Sequence, residues 1–358
     1  MTDTISICSL NVRGLTDRKK RIDVFAWLKD KNLDIYCLQD IHVGPTNELS
    51  FQQDWGSAVC FNTTSSDSRG VAILFKHDLE YTILHTIKDS SGNLLIVQLK
   101  LLEYVFTLVV IYGPNRDDPN FYENLKNMLS ERENSPLIIC GDWNLVLDYS
   151  MDTVGYLREN NIQARKKVLE LIELFELVDP WRCSNPDTKK YSWRSSKKPV
   201  QLSRLDFFIV SVDIYSKILR QKYTPGYRTD HSLVHIEIDL GKILRGRGFW
   251  KFNVSLLHDK EYVNIVKQEI QETVKDYSIK NSHSTNKNQH FISAQDMFEI
   301  LKLRIRGRTI PFSVCKNKER KEKEKLFEKN IEQYENEIAK QSKSPNTDII
   351  KQKNKKNN

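Results

Sequence analysis

The sequence predicts an α+β protein, a two-sheet β-sandwich flanked by helices in an α/β layered arrangement and followed by a helical basic extension. Three observations support this class. Short apolar or alternating segments recur through residues 1–240 and are separated by short polar turns, which is typical of antiparallel strands. Amphipathic segments with helical spacing lie between some of these strands. Beyond residue 240 the strand pattern stops, and lysine, arginine and glutamate become frequent.

The strand and helix patterns can be placed along the chain. The predicted strands cover residues 5–10, 34–38, 58–61, 71–75, 81–87, 94–99, 105–112, 137–140, 190–193, 205–210, 218–223 and 233–238. The predicted helices of the sandwich cover residues 22–28, 120–130 and 163–175. We therefore expect a first domain at residues 1–240, a linker with a short helix at 241–290, a basic helical or coiled-coil segment at 291–342 and a disordered tail at 343–358.

Length and composition limit the class of protein. The 358 residues are enough for one large domain with an appendage or for two ordinary domains. No apolar run reaches the length of a membrane span, and the amino-terminal segment lacks the basic flank and apolar core of a secretion signal. The six cysteines show no CxxC spacing, and most lie in apolar segments, which favours reduced, buried thiols over a zinc site or a disulfide framework. We expect an intracellular protein with no membrane partner.

The net charge of +8 is unevenly distributed along the chain. Residues from 241 onward hold 26 Lys and Arg against 15 Asp and Glu, whereas the residues before them have a small acidic surplus. A basic extension suits a polyanionic partner such as DNA or RNA, although a solvated helical face explains any single Lys/Glu-rich stretch equally well. The segment 316–325 also resembles a weak nuclear import signal, so we expect a nuclear location after passage through the cytoplasm.

The stretch LIICGDWN at residues 137–144 is the most informative local pattern. Four apolar residues of strand character lead into a glycine, a carboxylate, an indole and a carboxamide. Asp142 can accept a proton or polarise a water molecule, and Asn144 can donate a hydrogen bond to a phosphate oxygen. An ordinary Asx turn explains the tetrapeptide as well.

Other predicted strands end in polar residues of the same kind. These residues are Asn11, Asp40, Tyr112, Asn115, Asp206 and the pair Asp230 and His231. Each has an ordinary alternative, since Asn11 precedes a turn, Tyr112 can be a plain strand tyrosine and Asp206 can pair with Arg204. Their number and their repeated place at strand ends favour a single site, because ligands bind at the carboxyl ends of strands in open sheets.

Six motifs in a fixed order carry a resemblance to a known family: SLNVRGL, LQDIH, YGPN, GDWN, SRLDFF and TDHSLV. Over residues 5–239 the chain resembles the endonuclease/exonuclease/phosphatase superfamily, and within it the apurinic-like endonuclease domain of LINE-type (non-LTR) retrotransposon polyproteins. The basic extension is similar to the connector that precedes the reverse transcriptase in those polyproteins. No polymerase segment follows here, so the resemblance implies a truncated copy or a fragment.

The resemblance implies metal-dependent phosphodiester hydrolysis that nicks one DNA strand and leaves a 3′ hydroxyl for target-primed reverse transcription. Asn11 and Asp40 would hold the cation, with Asp230 on the same side of the pocket, and oxygen ligands suit Mg2+, for which Mn2+ can substitute. Asp142 would orient or deprotonate the attacking water, and Asn144 and Tyr112 would donate to the phosphate. Asp206 would fix the ring of His231, whose role as base, acid or stabiliser stays open.

Asp40 departs from the family pattern, which usually has Glu at this position. The shorter side chain would stop more than about 1 Å short of its usual place, which can turn a direct metal bond into a water-bridged one. Activity is expected to be weakened and not necessarily lost.

DNA contacts are predicted at four residues: Asn115, Ser192, Lys197 and Lys198. The polar loop at 195–201, which holds the two lysines, resembles the hairpin that these endonucleases press into the minor groove, and lysine contacts to the phosphate backbone give affinity without sequence choice. A plain solvated turn is an equal alternative for this loop.

Three rival functions remain at this point. The first is an abasic-site repair endonuclease of the exonuclease III type. The second is a phosphatase on the same scaffold. The third is a catalytically weakened nucleic-acid-binding remnant, which is suggested by Asp40 and by the lack of a polymerase segment.

Overall fold

The computed structural model describes residues 4–65, 67–101, 103–130, 135–195, 200–240, 252–280 and 293–341. The chain divides into two compact units, one of Met1–Arg247 with Glu335–Asn358 and one of Gly248–Tyr334. Two parts of the predicted linker, 241–251 and 281–290, and the predicted disordered tail at 343–358 lie outside the described residues.

The strands of the described residues all belong to the first unit. They are β1 (Thr4–Asn11), β2 (Ile35–Gln39), β3 (Val59–Asn62), β4 (Val71–Phe75), β5 (Thr82–Lys88), β6 (Leu94–Leu101), β7 (Tyr104–Tyr112), β8 (Leu137–Asp142), β9 (Thr153–Val154), β10 (Leu177–Val178), β11 (Trp193–Arg194), β12 (Leu202–Ser203), β13 (Asp206–Ser211), β14 (Ile218–Pro225) and β15 (Ser232–Asp239). The α-helices of the described residues are α1 (Arg18–Lys31), α2 (Glu48–Trp55), α3 (Pro119–Ser130), α4 (Tyr149–Asp152), α5 (Ile162–Leu174), α6 (Pro180–Ser184), α7 (Val212–Tyr215), α8 (Lys260–Lys280) and α9 (Ala294–Gln341), and short 3-10 turns lie at Pro45–Asn47 and Val254–His258.

The strands form two six-stranded mixed sheets and one small sheet. The first sheet has the order β14-β15-β1-β2-β4-β3, and the second has the order β10-β13-β8-β7-β6-β5. The small sheet has the order β11-β12-β9. Helices flank the two large sheets, and a helical segment follows, so the predicted fold class is confirmed.

Side chains from both large sheets meet in a shared core, which explains the almost continuous apolar strands. In β8, Ile138 and Cys140 belong to the core between the sheets, whereas Leu137 and Ile139 belong to the core under α3 and α5. A second outer core lies under α1 and α2, where Phe25 contacts Phe51 edge-on at 4.9 Å. Because both faces of the central strands are covered, their ends are held in fixed positions.

Several elements differ from the sequence prediction. Helix α2 was not predicted, because an eight-residue helix with only two buried side chains gives a weak periodic signal. The strand predicted at 190–193 is reduced to β11, which starts at Trp193. In the second unit α8 has 21 residues and is longer than the short linker helix expected. The basic helical segment expected at 291–342 is a single helix, α9, which runs from Ala294 through Pro311 to Gln341.

The prediction that the thiols are buried is correct only for the cysteines that lie in strands. Cys8, Cys37 and Cys140 are buried and Cys60 is half-buried, and burial raises the pKa of the Cys8 thiol. Cys183 and Cys315 are exposed, and all six thiols are free. Within the described residues no helix is both long enough and apolar enough to span a bilayer.

Strand direction brings one edge of each sheet to the same place. Strands β1 and β2 are parallel, as are β7 and β8, so each pair delivers its carboxyl ends to one edge. Strands β13 and β15 run antiparallel to β8 and β1, so they begin where their neighbours end. Polar residues at all six positions can therefore meet in one cavity.

Candidate active site

The predicted residues at the strand ends line one cavity of about 320 Å3. Its lining includes Asn11, Asp40, Tyr112, Asn115, Asp142, Asn144, Asp230 and His231. Asp206 is hydrogen-bonded to His231. It also pairs with Asp142 across β13 and β8, so it lies next to these two cavity residues. The structure thus brings together side chains that are more than 200 positions apart in the chain.

Asp206 and His231 form a buried hydrogen-bonded pair. The Asp206 Oδ2 atom lies 2.8 Å from the His231 Nδ1 atom, and neither residue is more than 6% exposed. The backbone N–H of Asp206 donates to the Ser192 Oγ atom at 2.8 Å, which fixes the start of β13. With Nδ1 turned toward Asp206, the other ring nitrogen of His231 faces the cavity.

Arg204 does not pair with Asp206, although the sequence allowed it. Its guanidinium instead donates to Asp152 through Nε at 2.8 Å and through Nη2 at 3.0 Å. Nη2 also donates to Asp179 at 2.6 Å. Asp206 is therefore left to His231, and its Oδ1 atom is buried with no hydrogen-bond partner among the described residues.

The electrostatics of the cavity keep His231 charged and favour a proton on Asp142. Burial alone would lower the pKa of His231, but the Asp206 and Asp142 carboxylates outweigh burial and raise it to about 9. Burial and the neighbouring Asp206 carboxylate raise the pKa of Asp142 to about 7. At neutral pH the imidazole is thus protonated, and Asp142 holds a proton more readily than an ordinary carboxyl group does.

Asp142 is oriented by contacts on both carboxylate oxygens. Its Oδ2 atom accepts a hydrogen bond from the Asn11 Nδ2 atom at 2.8 Å and lies 3.8 Å from the His231 Nε2 atom. Its Oδ1 atom accepts from the backbone N–H of Asn144 at 3.0 Å. The carboxylate therefore has a defined direction and is only 1% exposed.

Asn144 and Tyr112 are placed as donors at the cavity wall. The Asn144 Nδ2 atom donates one hydrogen to the Gly113 carbonyl oxygen at 2.7 Å, which leaves its second N–H for a ligand. A Cβ atom at Gly113 would collide with the Trp143 carbonyl oxygen, so only glycine permits this approach. Burial and the Asp40 and Asp142 carboxylates raise the pKa of Tyr112 well above its usual value, so its hydroxyl keeps its proton.

Oxygen atoms suited to a hard cation occupy another part of the lining. Asp40 follows β2 with a φ of 55°, and its Oδ1 atom lies 2.8 Å from the His42 Nε2 atom. The Asn11 Oδ1 atom accepts from the backbone N–H of Arg13 at 2.9 Å. Asp230 has one buried oxygen, Oδ1, with no hydrogen-bond partner among the described residues. These donor types fit Mg2+ or Mn2+.

A second group of residues can also hold a metal ion. Asp142, Asp206 and His231 each offer a ligand atom, and these atoms lie within 4.8 Å of one another. A cation there would have to displace or share the Asp206–His231 hydrogen bond and would meet an imidazole that is charged at neutral pH. For that reason we regard the Asn11, Asp40 and Asp230 oxygens as the better fit.

Of the four predicted DNA contacts, one is buried, two lie outside the described residues and one lines the cavity. Ser192 is fully buried, and its Oγ atom accepts from the backbone N–H groups of Leu205 and Asp206, so the predicted DNA contact at Ser192 is wrong. Lys197 and Lys198 lie outside the described residues. On either side of this segment β11 and β12 pair antiparallel, and the Ser195 N–H donates to the Gln201 carbonyl oxygen at 2.9 Å. Asn115 is exposed and lines the cavity.

The structure adds cavity residues that the sequence analysis missed. Arg13, Tyr156, Asn161 and Trp193 line the same cavity. The Trp193 Nε1 atom lies 3.3 Å from the Asp230 Oδ2 atom, and Arg13 reaches the same oxygen. The position of Arg13 inside the NVRG motif was the available signal, but the sequence does not show which way its side chain turns.

The fold and the cavity together define an enzyme-like site on a β-sandwich, and the comparison with known proteins identifies its class. Residues 8–231 match the endonuclease/exonuclease/phosphatase family. The match covers more than half of the chain, and the protein belongs to this family. The resemblance inferred from the six motifs is confirmed.

Two individual proteins are similar in sequence to this chain. The chain is 27% identical over 267 residues to the "Transposon TX1 uncharacterized 149 kDa protein" of Xenopus laevis, which covers 74% of this chain and 20% of that protein. It therefore spans about a fifth of the length of that relative. It is also 25% identical over 240 residues to an exodeoxyribonuclease of Bacillus subtilis, covering 60% of this chain and 91% of the enzyme.

A solved structure supports the fold independently. The AP endonuclease LMAP from Leishmania major aligns with a TM-score of 0.57 at 16% identity, covering 66% of this chain and 87% of that chain. At this identity the likeness shows the shared fold, and the chemistry has to be argued from the side chains.

Proposed function

We propose that this protein is a divalent-metal-dependent DNA endonuclease that hydrolyses one phosphodiester bond and leaves a 3′ hydroxyl able to prime target-primed reverse transcription. The observation that carries the proposal is the buried Asp206–His231 hydrogen bond beside Asp142, in a cavity whose wall contains further carboxylate oxygens. We assign this activity to the sandwich, residues 1–240.

Asn11, Asp40 and Asp230 would hold the cation. Bound there, Mg2+ or Mn2+ would polarise a phosphate oxygen and offset negative charge in the transition state. The unpaired buried oxygen of Asp230 supports this assignment, because such an atom is unfavourable unless a ligand completes its coordination.

Asp142 takes the proton of the attacking water. A general base works best when its pKa lies near the working pH, and the pKa of Asp142 is raised to about 7 by burial and by Asp206. The hydrogen bond from Asn11 and the backbone N–H of Asn144 hold the carboxylate in one direction.

Of the roles that the sequence left open for His231, we assign it that of a charged donor, as acid or stabiliser, and not that of a base. Because its pKa is raised to about 9, it is protonated at neutral pH and is a poor base. Its Nδ1–H is bound to Asp206, so its Nε2–H can donate to a phosphate oxygen or protonate the leaving oxygen. Tyr112 and the second N–H of Asn144 supply further hydrogen bonds to the phosphate.

A polymeric substrate is favoured by a second cleft that adjoins the cavity. This cleft has a volume of about 710 Å3 and shares Asp40, Tyr112 and Asn115 with the cavity. Arg69 and Arg116 also line it, and arginine is suited to phosphate recognition. Two joined polar clefts extend further than a small phosphate ester needs, which argues against the phosphatase alternative.

The test is a nicking assay with three substrates. Native protein is incubated with Mg2+ and a supercoiled plasmid, an abasic duplex or a small phosphate monoester, beside Asp142→Asn and a surface control, Asp187→Asn. We expect plasmid nicking by the native chain and the control only, with nicks that a DNA polymerase extends without end repair. Equal nicking by Asp142→Asn, or nicks that cannot be extended, would contradict the proposal.

Two alternatives have an observation in their favour. The 25% sequence identity to an exodeoxyribonuclease favours the alternative of the exonuclease III type, which predicts cleavage of the abasic duplex with little plasmid nicking. Asp40 in place of Glu favours a weakened nucleic-acid-binding remnant, which predicts DNA binding with no cleavage by either native protein or Asp40→Glu.

The expectations of nuclear import and of RNA binding rest on the charge of the basic extension. The segment 316–325 lies within α9, and its basic residues are the reason for expecting nuclear import. Binding of RNA by the basic extension stays a prediction from its net charge.

A further inference from the structure

Arg13 occupies a place in the active-site cavity to which the proposed chemistry gives no role. Its Nη1 atom lies 3.2 Å from the Asp230 Oδ2 atom, and its side chain is 66% exposed. Its backbone N–H donates to the Asn11 Oδ1 atom. Arg13 therefore contacts two of the three residues proposed to hold the cation.

The backbone around Arg13 is held tightly, although its side chain is not. The Lys20 Nζ atom donates to the carbonyl oxygens of Val12 at 2.9 Å and Arg13 at 2.7 Å. The N–H of Gly14 donates to the Asp40 carbonyl oxygen at 2.7 Å. Arg13 itself has a φ of 50°, in the left-handed region. The base of the side chain is thus fixed beside the cation ligands, and the guanidinium is free to turn at the cavity mouth.

Asp230 is poorly satisfied by its present contacts. The two donors to its Oδ2 atom, Arg13 and Trp193, are at 3.2 and 3.3 Å, and its Oδ1 atom is buried with no partner among the described residues. An ion pair as exposed as that of Arg13 contributes little to stability, so it exchanges easily. A divalent cation on Asp230 would repel the guanidinium and release it.

We propose that Arg13 exchanges Asp230 for a phosphate oxygen of the bound DNA strand when the cation site fills. Arg13 is then a phosphate-binding residue that couples metal loading to DNA binding, an inference that rests on the proposed function. A planar guanidinium with five N–H donors matches phosphate geometry, which a second cation does not. By linkage, whatever factor the metal adds to DNA affinity through Arg13, DNA adds to metal affinity.

The experiment measures this coupling without cleavage. All variants are made in a His231→Gln background, and Arg18→Gln is the matched control, since Arg18 is 70% exposed and ion-paired with Asp54 away from the cavity. Binding of a 20-base-pair duplex is measured with Mg2+ and with EDTA, and Mn2+ binding is measured with and without the duplex.

For Arg13→Gln we expect DNA affinity to fall about fivefold with Mg2+ and to be unchanged in EDTA, with the salt slope reduced by about one phosphate contact. Mn2+ affinity without DNA should rise about threefold, because Asp230 loses a cationic competitor. The gain in Mn2+ affinity that DNA confers should fall by the factor lost from DNA binding. Arg13→Lys should recover part of the affinity, and Arg18→Gln should match the parent.

Two results would overturn the inference. An equal loss of DNA affinity with Mg2+ and with EDTA would make Arg13 a plain surface cation. Unchanged DNA-free Mn2+ affinity would show that Arg13 and the metal do not share Asp230. Nicking by the protein without the background substitution is measured separately, so failure of the proposed function is seen there and not in these titrations.

Discussion

Two buried charge clusters lie on either side of Leu205. In one, Arg204 is fully buried with Asp152 and Asp179, and Arg182 donates to Asp152 at 2.6 Å, so two positive and two negative charges balance. In the other, Asp206 is fully buried with Asp142 and His231, near Asp40 and Asp230, and carboxylates are in excess.

The two clusters also differ in how completely their carboxylate oxygens are hydrogen-bonded. Every carboxylate oxygen of the first cluster that faces Arg204 accepts a hydrogen bond, and Tyr223 adds a contact at 3.5 Å. In the second cluster the Oδ1 atoms of Asp206 and Asp230 have no partner among the described residues. The Arg182 Nε atom of the first cluster is also buried without a partner, so the contrast lies in the carboxylates. A neutral cluster whose carboxylate oxygens are all hydrogen-bonded stabilises the fold, whereas an acidic one with unpaired carboxylate oxygens is suited to bind a cation and a phosphate. Position in the sequence does not separate them, since they are two residues apart.

The largest expected effect is on the balanced cluster. Arg204→Met leaves two buried carboxylates without their partner, and we expect a loss of about 3–5 kcal/mol in the free energy of unfolding. Urea denaturation followed by tryptophan fluorescence measures it. Arg116→Met is the control, because the Arg116 side chain is 86% exposed and its ion pair with Asp118 is 3.6 Å long. Equal stability of the two variants would remove the distinction drawn between the clusters.

Asp206→Asn should show the opposite behaviour. It keeps the shape of the side chain and removes one charge from an acidic site, so we expect stability to stay within about 1 kcal/mol of native. Plasmid nicking should fall about 10²- to 10⁴-fold, because His231 loses the carboxylate that keeps it charged. Asp179→Asn is the matched comparison, with stability lost and the activity of the folded fraction kept. Lost stability with unchanged nicking for Asp206→Asn, and unchanged stability with lost nicking for Asp179→Asn, would contradict these assignments.

The acidic cluster should also give stability a particular pH dependence in metal-free buffer. The pKa of His231 is raised to about 9 in the folded protein, above the ordinary value of 6.5, so its contribution is complete below about pH 6.5 and is lost as the pH rises through 9. The pKa of Asp142 is raised to about 7, so stability also falls as the pH rises from about 4 to 7.

Comparing native protein with His231→Gln from pH 5 to 10 isolates the imidazole. We expect the stability difference to shrink by about 2–3 kcal/mol across pH 6.5 to 9. A difference that is constant with pH would mean that the Asp206 and Asp142 carboxylates do not hold the extra proton.

The smallest expected effect concerns Asp40. A Glu at this position would reach further into the cavity by one methylene and lose the short contact with His42. We expect Asp40→Glu to bind Mn2+ about tenfold more tightly, because a direct bond replaces a water-bridged one. Isothermal titration measures it, with the exposed Asp187→Glu as the control. Weaker binding by Asp40→Glu would show that the His42 contact, and not reach, sets the affinity.

The sequence predicted the parts of the site that strand ends determine. Asn11, Asp142 and Tyr112 end apolar strands, Asp206 begins one and His231 directly precedes another, and sheet direction then places them together. Tertiary burial determined the rest. Ser192 was predicted to contact DNA, but it is fully buried and its Oγ atom accepts from two backbone N–H groups. Arg13 was missed because a motif does not state where its side chain points.

The partner of Arg204 shows the same limit. Asp206 is two residues away and was a plausible partner, but the Arg204 guanidinium is held by Asp152 and Asp179, and Asp206 is hydrogen-bonded to His231. Asp152 and Asp179 come from distant parts of the chain. Local spacing therefore predicted the elements and the strand-end site, and it could not predict long-range charge pairing.

The position of β15 has a consequence for protein synthesis. This strand lies between β14 and β1 in the first sheet, and His231 directly precedes it, so the imidazole is translated about 220 residues after Asn11. Before residue 231 has been translated, β1 lacks β15 as its neighbour and no imidazolium lies near Asp142. Since pairing of such distant segments is slow and comes late in folding, the candidate site is complete only when β15 has paired with β1. The topology thus ties completion of the site to β15, the last of the described strands in chain order.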